Sequence, residues 1–200
     1  MEEKDIKLKK YNIIYADPPW AYNDKMSGNR GACYKYDVMD IEEIKKIPVQ
    51  NIAADDCALF MWATMPHLKS AFNLMETWGF TYKTNAFTWV KRSKNGNWFT
   101  GCGSWTRSNA ELCLLGVKGK IRRKNADVNS VISARVMEHS KKPNIVRDRI
   151  VRLMGNLPRI ELFSREKIKG WDVWGNESET NFWDEFTIKR KESKLKGFLK

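Results

Sequence analysis

The chain has 200 residues, 42% of them hydrophobic, with 36 Lys and Arg against 24 Asp and Glu for a net charge of +12. That size and composition suit one domain with a substantial buried core and exclude a disordered polymer. The basic excess points to a polyanionic partner, most simply nucleic acid. No apolar run approaches the roughly 18 residues of a membrane helix. The opening MEEKDIKLKK lacks the apolar centre of a secretory signal. The four cysteines (Cys33, Cys57, Cys102, Cys113) form no CxxC pair and the histidines are only two, so neither a zinc site nor any other metal is expected. A cytoplasmic protein with reduced thiols is the expectation.

In chain order, the first element is the strand NIIYA (12–16), ending on the turn DPPW (17–20). DIEEIKKI (40–47) reads as a helix with Asp40 as N-cap and Glu43 completing a capping box. ALFMWA (58–63) is a strand. From Pro66 to Trp78 the residues Leu68, Ala71, Phe72, Met75 and Trp78 form one helical stripe, which Gly79 stops. Strands AFTWV (86–90), ELCLLGV (111–117) and SVISA (130–134) follow. A helix after Pro143 carries Val146, Ile150, Leu153 and Met154 on one face and ends at Gly155, and RIELF (159–163) is the last strand. The runs are nearly continuous rather than alternating, as in strands covered on both faces. Strands interleaved with amphipathic helices predict an α/β domain with a mostly parallel sheet and helices on both faces, spanning residues 1–178. Residues 179–200 read as a basic tail or final helix.

Ligands in open α/β sheets collect beyond the carboxyl ends of strands, where Asp17 lies. Two prolines stiffen the backbone there. The Asp17 carboxylate and a Pro18 carbonyl pointing outward, unpaired, would form a rigid pair of acceptors for an NH2 group. Pro19 would stiffen the turn, and Trp20 would give a wall for a planar ring. Such acceptors keep an amine lone pair aimed at an electrophilic carbon and stabilise the developing positive charge.

YADPPW, with ALFMWAT, WGFTYKTNAFTWVK, NAELCLLGVKG, HSKKP, RIELFSRE and GWDVWGNE after it, resembles the DPPW-type adenine-N6 methyltransferases. That family includes the catalytic subunit of the eukaryotic messenger-RNA adenosine methyltransferase and phage and bacterial relatives. The likeness runs from about residue 5 to 177. It implies a Rossmann-like methyltransferase fold with permuted motif order and S-adenosylmethionine as methyl donor. It also implies Asp17, Pro18, Pro19 and Trp20 as the catalytic turn. By the same resemblance Lys142 lies at the mouth shared by substrate and cofactor. Arg165, Asn176 and Glu177 contact the cofactor's ribose and methionine ends, Asp17 borders it, and Asp5 and Ile6 match a pair at its adenine. Glu166 and Lys167 stand where the messenger-RNA enzymes carry His and Asn. Tyr36 and Glu111 map near the target adenosine; each is otherwise a buried hydrogen-bonded residue.

The stretch KRSKNGNWFTGCGSWTRS (91–108) mixes Lys91, Arg92 and Arg107 with Trp98 and Trp105. Cations among aromatics suit phosphates and bases. KGKIRRK (118–124), with Lys120, Arg122 and Arg123, is expected to add a phosphate patch near the same rim. The expected activity is methylation of the adenine N6 amine in nucleic acid, DNA before RNA because compact members resemble phage and bacterial enzymes. The alternatives are an RNA enzyme or a non-catalytic nucleic-acid-binding subunit. A homo- or hetero-oligomer is left open.

Overall fold

A computed structural model of the chain describes residues 9–21, 39–103, 105–137 and 141–175. The tail at 179–200 lies outside the described residues.

β1 (Tyr11–Ala16) lies inside the sheet, and the DPPW turn follows directly from its end. It is followed by α1 (Ile41–Lys45), β2 (Ala53–Ala63), α2 (Leu68–Thr77), β3 (Thr81–Arg92), β4 (Ala110–Lys118), β5 (Val131–Arg135), α3 (Ile145–Met154), β6 (Arg159–Leu162) and β7 (Asp172–Trp174). The strands form one seven-stranded sheet in the order β5-β3-β4-β2-β1-β6-β7. β4 is antiparallel to both neighbours, and every other pairing is parallel. The sheet is therefore the mostly parallel α/β sheet that the apolar runs predict, with helices on both faces in the Rossmann-like manner.

Side chains alternate across β1. Ile14 and Ala16 enter one core with Ile44, Ala71, Leu74 and Met75 of α1 and α2. Ile13 and Tyr15 enter the other with Val146, Ile150 and Met154 of α3. Burial on both faces explains why the strand sequence is continuously apolar. Asp40 caps α1 by accepting from the Glu42 amide at 2.8 Å. Gly155 ends α3 with φ of +88°, a conformation that few other residues adopt without strain.

Two strand starts differ from the sequence reading by five residues, and one strand is additional. β2 starts five residues earlier than Ala58, at Ala53. β3 starts at Thr81 rather than Ala86, and its first four residues are exposed. β5 covers only Thr88–Arg92 of β3, so the earlier part has an open edge and polar side chains suffice there. β7 was not expected. Its three residues are too few to show any periodicity.

Candidate active site

The parallel strands deliver their carboxyl ends to one rim. β1 gives Asp17 to Trp20, β2 gives Thr64 and His67, β3 gives Lys91 and Arg92, and β6 gives Ser164 and Arg165. The reversed β4 brings its first residues to this same rim, since Leu112 pairs Ala63 and Glu111 pairs Trp89. The chain leaves β1 for β2 on one side and returns to β6 on the other, so a crevice opens between the ends of β1 and β6. At its β6 side, Phe163 takes φ of +62° and its ring meets Trp174 edge-on at 5.5 Å. A bulky residue in that conformation is rare, and such strain concentrates at functional sites.

Four charges line up at the rim. Lys142 Nζ donates to Asp17 Oδ2 at 2.8 Å and lies 3.4 Å from Glu111 Oε2. Lys91 Nζ lies 2.5 Å from the other oxygen, Oε1. The floor is aromatic: Lys142 sits over Trp62 at 5.6 Å and Lys91 over Trp89 at 5.1 Å, and the two indoles meet edge-on. Beneath them Trp62 Nε1 donates to Tyr15 Oη at 2.6 Å.

Burial raises the Asp17 carboxyl above its usual range, more than the Lys142 and Arg165 cations lower it, and Glu111 adds repulsion. Burial works the same way on Glu111, but two ammonium groups outweigh it and hold that carboxyl low. For Lys142 burial disfavours the cation, yet Asp17 and Glu111 together keep it firmly protonated. Burial also pushes the Cys113 thiol and the Tyr15 phenol well up, so neither is an anionic nucleophile. The site suits accepting hydrogen bonds and a proton, not covalent catalysis.

The DPPW turn differs from expectation in two respects. The Pro18 carbonyl is not unpaired: it accepts from the Trp20 amide at 2.9 Å, closing a tight turn about Pro19. The Pro19 carbonyl in turn accepts from the Met39 amide at 3.0 Å. Trp20 is 6% exposed and belongs to the core. Its Nε1 donates to the Trp62 carbonyl at 3.1 Å, and its ring stacks on His67 at 5.5 Å and 17°. Trp20 thus anchors the turn from below. His67, which the sequence did not single out, bonds the Ala21 carbonyl through Nε2 at 3.1 Å and Thr64 through Nδ1 at 2.9 Å. Nothing in the local pattern around it marks that contact.

Lys91 was expected at phosphates, but its side chain is 16% exposed and committed to Glu111. Arg92 stacks its guanidinium 3.6 Å from the centre of the Trp98 ring. Trp98 is 60% and Trp105 fully exposed, and Arg107 is exposed, so this part of the loop faces solvent beside the rim. Lys120, Arg122 and Arg123 are not near it. β4 runs away from the rim, so they follow its far end, where Lys118 pairs Cys57. Six residues of strand put that end roughly 20 Å from the DPPW turn. Asp5, Ile6, Tyr36, Asn176 and Glu177 lie outside the described residues.

Cys57, Cys102 and Cys113 are free thiols, the first and last buried. No helix among the described residues is long and apolar enough to cross a membrane.

The MT-A70 family model matches residues 11–177. The chain is 40% identical over 192 residues to the Type II methyltransferase M.MunI of a Mycoplasma species, covering 86% of this chain and 80% of that protein. It is 29% identical over 175 residues to the N(6)-adenosine-methyltransferase catalytic subunit METTL3 of Homo sapiens, covering 85% of this chain and 28% of that one. An MT-A70-like N(6)-adenosine-methyltransferase of Arabidopsis thaliana matches at 29%, over 24% of its length. The chain therefore spans most of the bacterial relative and about a quarter of the eukaryotic ones. With the acceptor carboxylate at the β1 end of the crevice and a family match over residues 11–177, this chain is a methyltransferase belonging to the MT-A70 family.

Proposed function

We propose that the chain transfers a methyl group from S-adenosylmethionine to the exocyclic N6 amine of adenine in nucleic acid, DNA in preference to RNA. The observation that carries this reading is the Asp17 carboxylate, half-buried at the crevice and already accepting an N–H from a cationic nitrogen at 2.8 Å. An adenine amine donating in the place of Lys142 keeps its lone pair free for attack. Lys142 then retains Glu111 as a partner, so its charge stays compensated. The nitrogen sheds a proton on methylation; Asp17, bonded to that amine in the proposed geometry and with its carboxyl raised above the usual range, is placed to take it.

The crevice residues fit the donor's chemistry. S-adenosylmethionine carries a carboxylate, an ammonium and a sulfonium, and Arg165 and Asp17 offer opposite charges where β6 and β1 end. Arg165, Asp17 and Lys142 would hold it, joined by Asn176, Glu177, Asp5 and Ile6 as the resemblance implies. Once bound, the cofactor supplies an electrophilic methyl group. The exposed Trp98, Trp105 and Arg107, with the half-buried Arg92 stacked on Trp98, would receive the substrate strand, with Glu111 and, as the resemblance implies, Tyr36 nearer the base. The target base must leave its stack to reach Asp17, and the exposed indoles suit a displaced base.

DNA is favoured because the relative matched over most of its length is named a Type II methyltransferase. The N(6)-adenosine names of the eukaryotic relatives support the atom methylated. Free thiols, one of them exposed, fit a reducing cytoplasm. The test incubates the protein with a labelled methyl donor and duplex DNA, single-stranded DNA, structured RNA and unstructured RNA, then digests to nucleosides. N6-methyladenine from DNA is expected. Label on cytosine, or on no nucleic acid, overturns the reading.

A further inference from the structure

The basic run at 118–124, five cations in seven residues, is far from the reaction rim and is nevertheless built rather than loose. Its first turn is fixed by Gly119, whose φ is +67° and where an added Cβ would meet the Asp55 carbonyl at 2.2 Å and Asp56 Oδ1 at 2.3 Å. The Lys120 amide donates to that Asp56 carboxylate at 2.6 Å. Ile121 is partly buried and packs on the core shared with α3. At the far end the amides of Lys124 and Asn125 donate to the Leu153 carbonyl at 2.7 and 3.2 Å, and Asn125 Nδ2 donates to the Arg152 carbonyl at 2.5 Å. The segment is an arch pinned at both feet and at its centre.

Its side chains are left unused. Lys120, Arg122, Arg123 and Lys124 are all exposed. The ion pairs among the described residues leave them out, although Asp55 and Asp56 stand at the start of β2 beside them. A favourable placement beside the carboxyl end of α3 does not explain them, because the backbone of Lys124 and Asn125 already caps that end. Cations held apart on a fixed backbone, with their ordering entropy met by folding, are suited to a row of phosphates.

We infer that this arch is a second polyanion-binding surface, which holds the phosphate backbone of the nucleic-acid substrate away from the reacting base. The inference rests on the proposed nucleic-acid substrate. At about 3.4 Å per phosphate, a strand of roughly six nucleotides around the target reaches only about 10 Å to either side. A longer molecule bending over the body of the domain reaches the arch. The surface should therefore act on affinity for long substrates and leave the chemistry at Asp17 alone.

The test uses the full chain with Arg122→Gln and Arg123→Gln combined. Binding of a labelled DNA of about 40 nucleotides and of a six-nucleotide strand bearing the same target is followed by anisotropy across a salt series, without cofactor. Counterion release predicts that the double variant loses between tenfold and a hundredfold of affinity for the long DNA at about 0.1 M salt, and about one and a half units of log–log salt slope. Binding of the short strand should not change. Unchanged affinity and slope on the long DNA overturn the inference, as does an equal loss on both lengths. A wild-type protein that binds long DNA through the arch yet methylates nothing would instead sink the proposed activity and leave the arch standing. If a long acidic polypeptide competes more strongly than DNA, the partner is a protein and the inference fails.

Discussion

Lys142 holds the Asp17 carboxylate at 2.8 Å across 125 residues of sequence, in the place that the proposed reaction gives to the substrate amine. Asp17→Asn should therefore remove the acceptor without harming the fold. Burial raises the Asp17 value above the ordinary carboxylate range, so the folded chain binds that proton more tightly than the unfolded chain does. Its ionisation at neutral pH costs stability, and the neutral amide avoids that cost. Methyl transfer should fall by about a hundredfold or more, with a Tm equal to or above that of the parent. Near-normal turnover, with the substitution confirmed, would exclude Asp17 as the acceptor.

The acid limb of the pH–rate profile should follow Asp17. Activity requires the carboxylate and is lost as pH falls through its raised value. Lys142 lowers that value and Glu111 raises it. Single-turnover rates of Lys142→Met should thus lose activity at higher pH than the parent, and those of Glu111→Gln at lower pH. A common shift in one direction, or none, would mean that another group sets the limb.

Some of this site was legible in sequence, and the difference has a physical origin. Asp17 was visible because a hydrophobic strand ending in an acid and two prolines is a local pattern. The fold was visible because burial on both faces leaves continuous apolar runs. Strand direction leaves no such trace: ELCLLGV reads the same either way, so the reversal of β4 was hidden. That reversal brings Glu111 to the rim and carries Lys120, Arg122 and Arg123 away from it. The row Lys91–Glu111–Lys142 was hidden for a related reason. A lysine in a loop of cations and aromatics reads as a phosphate contact until its partner from another strand is seen.

The buried pairing of Lys91 separates it from the loop cations. Lys91→Met should leave the salt dependence of DNA binding unchanged, because that ammonium already faces Glu111 at 2.5 Å. Its effect should fall on turnover, since Glu111 would then depend on Lys142 alone and draw it from Asp17. Arg107→Gln, at an exposed position, should reduce the log–log salt slope by about one unit. If Lys91→Met flattens the slope as much, Lys91 reaches phosphate after all.

Below the rim, Arg147 of α3 grips Glu161 of β6 through two bonds, 2.6 and 2.8 Å long. Their side chains are only 11% and 9% exposed. Such a pair adds little over an apolar one, but removing one partner strands a buried charge at a cost of about 3–5 kcal/mol. Arg147→Met should show that loss in urea denaturation at neutral pH. Burial already raises the Glu161 carboxyl, and Arg147 opposes it, so the single variant must raise it further. The folded state of the variant then binds a proton that the unfolded chain gives up more readily. Its stability should recover as pH is lowered towards the ordinary carboxylate range and worsen as pH rises, a dependence the parent shows more weakly. Adding Glu161→Gln should restore most of the loss at neutral pH and abolish the added pH dependence. A double variant no more stable than the single one would show that Arg147 supports α3 by packing over Tyr15, whose ring lies 5.9 Å away, and not by its charge.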